Sequence, residues 1–383
     1  MANEKLEQLH FPPFDLKRLL KTVFAPQKGE KICILIDLED FGKIKDFSFL
    51  NDTGLTIQRY AHDVFYQGLK NGVMDQLGLE DGRMFAYRIT GGSNLDLTDE
   101  AYDVQGLRLS LEKDIYSQFD IILCISTFSA TAPLTASAKQ YGFRGATLHG
   151  INKIILETGL SVDYEIVSVQ AEKLRQGLTR AEFVEVDFEV RGQNETLKIF
   201  LDGQEAQKSH GICRGKEPAV ANLPAGEVYF VPTGAEGKFP MKYDDGTLGW
   251  IKVKNGRIVS VSLIEGKADT IQEHLKKIED DPVTGELGEL GFGTQILPFS
   301  GQDIQDEKIL GTCHIATGRS DHLGGHLTPD KFRHKINATH DDILFTPHKT
   351  PEIKLSRVRM MRDGEMTTLV ENYQPSEYMK SLL

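Results

Sequence analysis

The sequence predicts an α/β protein in two parts. Residues 1–158 read as an N-terminal doubly wound, mainly parallel α/β domain, and residues 159–383 as a C-terminal, mainly antiparallel β-rich (α+β) domain that binds metal. Three observations carry this reading. In the first part, compact apolar runs alternate with segments of helical period, the rhythm of βαβ units. Beyond about residue 160, apolar and polar residues alternate one by one, as in strands with one wet face. At 383 residues the chain is also too long for one ordinary core.

Taken in order, Leu16 to Phe24 reads as a short amphipathic helix ended at Ala25-Pro26. KICILIDL (31–38) is a β-branched run, expected as a buried strand. Residues 54–77 carry Ile57, Tyr60, Ala61, Val64 and Phe65 at helical spacing. A strand at 83–90, a helix near 104–117 and the strand FDIILCIS (119–126) follow, and helix 132–141 leads to FRGATLHG (143–150). Gly91-Gly92-Ser93 follows a strand as a phosphate loop would, but no GxGxxG or GxxxxGK[ST] pattern accompanies it, so a turn is expected. The second part opens with a helix near 165–177. Strands are expected at 182–190, 196–203, 226–232, 246–253 and 257–266, with Lys254-Asn255-Gly256 as a hairpin turn and a helix at 268–280. Tyr229, Tyr243 and Trp250 are expected to pack in this domain.

Hydrophobic residues at 40% and charged residues at 26% describe a soluble globular protein. A formal charge of −12, with no block of Lys and Arg, argues against nucleic acid as a partner. No apolar run approaches the roughly 18–20 residues that span a bilayer, so no membrane partner is expected. The N-terminal residues have no apolar core of signal-peptide length. Cys33, Cys124, Cys213 and Cys313 are far apart and form no CxxC pair, which fits a reducing compartment. The expected location is cytoplasmic.

The chemistry concentrates between Gly285 and Leu344. Six of the eleven histidines fall between His314 and His348, among Glu286, Glu289, Asp306, Glu307, Asp321, Asp341 and Asp342. Imidazole and carboxylate on a Gly-rich framework form a ligand set for Zn, Fe(II), Mn or Co. His340 and Asp342 are two apart, so on an extended segment both point to one face. His314 lies 26 residues upstream in GTCHIATG, and Glu289 sits between glycines in GELGFG. Glu227 stands where a loop enters an apolar strand and either meets a metal or turns to water as an edge-strand residue. His322 and His326 either contact substrate or ligands or face solvent in a loop, the second being expected. Asp306-Glu307-Lys308 is expected to be a turn stapled by its own charges, with no ligand there.

NLPAGEV, ELGFGT, DEKxxGTxHIAxG and HxD, in that order, resemble the M29 family of metallo-aminopeptidases, the aminopeptidase T and aminopeptidase S types. The resemblance covers roughly residues 160–345 well and the first half in a general way. It implies a homodimeric hydrolase that releases N-terminal amino acids from short peptides at a two-metal site (Zn, Co or Mn). The implied metal ligands are Glu227, Glu289, His314, His340 and Asp342, with Glu227 or Glu289 as general base. The family's metal-binding tyrosine, seven residues after the first histidine, is replaced by Asp321, a possible extra ligand. GTxHIAxGxxxxxGG is similar also to a branch typified by 2,5-dihydroxypyridine 5,6-dioxygenase. That branch would use one Fe(II) on His314, His340 and Asp342 to open a hydroxylated aromatic or pyridine ring. A third reading is a non-catalytic relative that binds a partner or small ligand.

Overall fold

The computed structural model describes residues 10–383, in two compact units. Part of the stretch read for a signal segment, residues 1–9, lies outside the described residues. The first unit comprises residues up to 168 together with 210–225, and the second 169–209 with 226–383. The chain therefore passes between units at 168/169, 209/210 and 225/226. Among the described residues no helix is long and apolar enough to cross a membrane.

The first unit is built on a seven-stranded sheet in the spatial order 219–222, 144–147, 121–125, 31–38, 81–88, 101–103, 108–109. The first five strands pair in parallel and the last two add antiparallel. Lys31–Leu38 is buried along nearly its whole length, as its unbroken apolar run requires of a central parallel strand. The helices expected at 16–24 and 132–141 are Leu16–Phe24 and Thr131–Tyr141. One expectation is corrected. The helix near 104–117 begins only at Leu111, because Asp103 accepts the Gln105 and Leu107 amides and turns 101–109 into a hairpin. The strand Ala219–Asn222, which lacks a strong local pattern, is drawn to this sheet by pairing with Arg144–Thr147.

The second unit holds two antiparallel sheets. Eight strands run in the order 257–265, 248–254, 234–242, 193–200, 183–190, 354–362, 365–371, 374–375. Phe183–Val190 alternates between buried and half-buried, as its sequence does. Asn255 (φ 51°) and Gly256 (φ 75°) form the expected hairpin turn. Five further strands, 340–345, 313–318, 287–293, 227–230 and 207–209, make the second sheet. One face of this sheet enters the core through Val228, Phe230, Leu290, Phe292, Cys313, Ile315 and Phe345. The architecture is the predicted one: a mainly parallel α/β unit and a β-rich antiparallel unit.

The helix Ala268–Asp280 carries His274, whose Nδ1 lies 2.6 Å from the Tyr243 hydroxyl. Burial, followed by the Lys277 charge, pushes His274 down to about 4 from 6.5. A depressed histidine is charged more readily in the unfolded chain. Its contribution is therefore complete above about pH 6.5 and is lost as pH falls toward 4. Urea unfolding of the wild type should lose on the order of 2 kcal/mol more than His274→Gln between pH 7 and pH 4.5. Parallel losses in both proteins would refute this.

Candidate metal centre

Four adjacent strands of the five-stranded sheet place the candidate ligands on one face. Cross-strand partners share a face, and residues two apart along a strand do so as well. Glu227 is opposite Gly293, and Gly291 opposite His314. Glu289 is opposite Ala316, which is opposite Asp342, and Gly318 is opposite His340. Each large ligand side chain thus faces a glycine or alanine on the neighbouring strand. Most of the alternate residues, Val228, Phe230, Leu290, Phe292, Cys313, Ile315 and Phe345, are apolar and fill the core on the other face.

Two of these glycines are required by close approach. A Cβ on Gly291 would stand 2.0 Å from His314 Cε1, so the imidazole lies flat across that position. A Cβ on Gly293 would stand 2.2 Å from the Ile309 carbonyl oxygen. Its absence lets the 307–310 segment run beside the strand, where Gly293 bridges Leu310 and Gln295 bridges Ile309. That approach carries Glu307 and Lys308 into the site.

Glu289 is gripped by both imidazoles. Its Oε2 lies 2.9 Å from His340 Nε2 and its Oε1 3.4 Å from His314 Nε2. His314 Nε2 is also 3.7 Å from Glu227 Oε2, and His340 Nε2 is 3.3 Å from Asp342 Oδ1. His340 Nδ1 donates to the Arg319 carbonyl at 2.6 Å, which leaves Nε2 aimed at the carboxylates. Lys308, wholly buried, lies 2.6 Å from Glu227 Oε1 and forms a second ion pair with Glu307.

The electrostatics follow from this crowding. Burial works to raise Glu289, but hydrogen bonds from His314 and His340 hold it low. Burial likewise opposes charge on His314, and Glu289, Glu307 and Glu227 overcome it, raising the ring to about 10. His340 is raised against its burial by Asp342 and Glu289. Burial pushes Glu307 up to about 8, with Glu227 and Asp342 adding to the rise. Without a metal, protons on the imidazoles balance the carboxylates. A divalent ion held there would supply positive charge in place of those protons.

Three groups have ligand atoms mutually within 4.8 Å: Glu227, Glu289 and His314; Glu289, His340 and Asp342; and Glu307, His314 and Asp342. His314 Nδ1 is buried without a hydrogen-bond partner, and Asp342 Oδ1 is buried with the His340 ring as its ion-pair partner. The donor set of carboxylate and imidazole suits a borderline or hard divalent metal. The residues present therefore fit such an ion.

The structure brings together Glu227, Glu289, His314, His340 and Asp342. Asp321 stands apart and belongs to none of these groups. It opens a short helical turn after the strand, and Arg319 Nε binds it at 2.7 Å. Glu307 and Lys308, expected to staple only their own turn, are corrected: both enter the cluster. The signal that could have found them was an Asp-Glu-Lys run set directly before the apolar Ile309-Leu310 and the strand from Cys313, where charges need partners. His322 is also corrected. Its side chain is 5% exposed and its ring stands edge-on to His340, centroids 5.0 Å apart, whereas His326 is exposed and meets Glu286.

No family model matches the chain, and no curated protein matches it. Among solved structures it is similar to 2,5-dihydroxypyridine dioxygenase from Pseudomonas putida, with 12% identity and a TM-score of 0.59. The match covers 94% of this chain and 95% of that one. At this identity the likeness establishes a shared fold.

Gly291→Ala should push the His314 ring off Glu289, loosen that carboxylate and weaken divalent-metal binding roughly 10- to 100-fold. Calorimetric titration with Zn(II), alongside a circular dichroism spectrum unchanged from wild type, checks this. Unaltered affinity would show that His314 is not held as described.

Proposed function

We propose that the chain is a metal-dependent hydrolase of the aminopeptidase type, cleaving N-terminal residues from short peptides. One observation carries this reading: Glu289 lies between two imidazoles in a site with three further carboxylates, Glu227, Glu307 and Asp342. So many anionic oxygens favour a Lewis-acidic dication over a site built from two histidines and one carboxylate. A dication bound there supplies carbonyl polarisation and a water acidified toward neutrality. Within the chain, Lys308 fixes Glu227 through Oε1 and leaves Oε2 as an acceptor for the proton of an attacking water. Glu289 keeps both imidazoles turned inward. Asp342 and Asp321 are partly exposed and mark the side from which a peptide enters.

The fold likeness favours a second reading, a ring-opening dioxygenase using Fe(II) on His314, His340 and Asp342. The two readings differ in their need for oxygen. Metal-loaded protein should release amino acids from leucyl dipeptides in an anaerobic chamber, followed by amine derivatisation. Activity on dihydroxypyridines that appears only with O₂ would replace the hydrolase by the dioxygenase. Under both readings His340→Ala loses most of its bound metal, and elemental analysis showing full metal retention would sink both.

A further inference from the structure

Lys308 is a buried cation inside a candidate cation site, and its position bears on how many metal ions the site accepts. Its side chain has no solvent exposure. The ammonium meets Glu227 Oε1 at 2.6 Å and pairs with Glu307 on its other side. The backbone that carries it is tied down as well, since Gln295 N donates to the Lys308 carbonyl at 2.8 Å and Lys308 N donates to Gln305 at 2.9 Å. The ammonium thus occupies the space between Glu227 and Glu307, shut off from solvent.

The three candidate ligand groups are not equivalent toward this ammonium. The group Glu227, Glu289 and His314 includes one Lys308 partner, and the group Glu307, His314 and Asp342 includes the other. Glu289, His340 and Asp342 form the group in which no carboxylate is engaged by Lys308. Charge leads to the same place. Lys308 already cancels part of the charge on Glu227 and Glu307, and one dication on Glu289, His340 and Asp342 meets most of what remains. A second dication would stand beside the Lys308 ammonium among buried groups, where uncompensated like charge is costly.

We propose that the Lys308 ammonium stands where a second dication would, so that the centre holds one divalent ion, on Glu289, His340 and Asp342. The resemblance to two-metal peptidases leads to the opposite expectation. The inference rests on the hydrolase reading for its ligand set, because the ring-opening reading takes His314 in place of Glu289, and one ion suffices to activate one water. Lys308 is thereby a positioning residue that sets the metal count by holding Glu227 and Glu307 away from an ion.

The test is titration of the full chain, stripped by a chelator, with Mn(II), combining elemental analysis after desalting with electron paramagnetic resonance. The wild type should stop at one Mn per chain in a large excess of metal and give the spectrum of an isolated Mn(II). Lys308→Gln should take up a second Mn and develop the signal of an exchange-coupled pair. Two coupled ions in the wild type would overturn the proposal, as would Lys308→Gln holding one ion while keeping the wild-type circular dichroism spectrum. If that variant fails to fold, the wild-type count and spectrum decide alone. No Mn bound by the wild type at any concentration would instead sink the metal-binding reading, and the proposal with it.

Discussion

Burial of a lysine between two glutamates is the interaction on which the centre depends. Three carboxylates on one face of one sheet, with Glu307 brought in beside them, repel each other, and removing them from water makes the repulsion stronger. Lys308 neutralises part of that charge from inside, through Glu227 and Glu307. The imidazoles of His314 and His340 take up part of the rest through Glu289. Removing either kind of partner would leave buried charge uncompensated, which is strongly destabilising. What remains is a negative excess suited to a divalent cation.

The backbone makes that crowding geometrically possible. Glycine or alanine faces each bulky ligand across the sheet, so the side chains converge without steric conflict. Gly291 lets His314 lie flat, and Gly293 admits the segment that brings in Lys308. Glycine weakens a strand by losing side-chain packing. Here the sheet compensates through its other face, where Phe292, Ile315 and Phe345 join the core. One set of strands thus divides its labour, with stability on one face and chemistry on the other.

The likeness to a solved structure concerns the fold, and the reaction is a separate matter of the site. A fold fixes where ligand-bearing strands lie, whereas the reaction follows from which donors they carry and what lies open beside them. In this chain the donors are weighted toward oxygen, and Lys308 shares the interior with them.

Much of this was legible in the sequence. The unbroken apolar run of Lys31–Leu38 and the alternation in Phe183–Val190 set their strand types, because side-chain periodicity is a local property of the chain. His340 and Asp342, two apart, share a face for the same reason. The strand Ala219–Asn222 and the hairpin at 101–109 were decided by pairing and by one aspartate's hydrogen bonds, which no period announces. Likewise the chain alone left Glu307 and Lys308 as neighbours in a turn, and the family resemblance offered Asp321 as an extra ligand. Only the tertiary structure carried Lys308 to Glu227, 81 positions away in sequence, and turned Asp321 to Arg319. The physical reason is that a ligand's type is local, but a buried charge is defined by whatever the fold places against it through space.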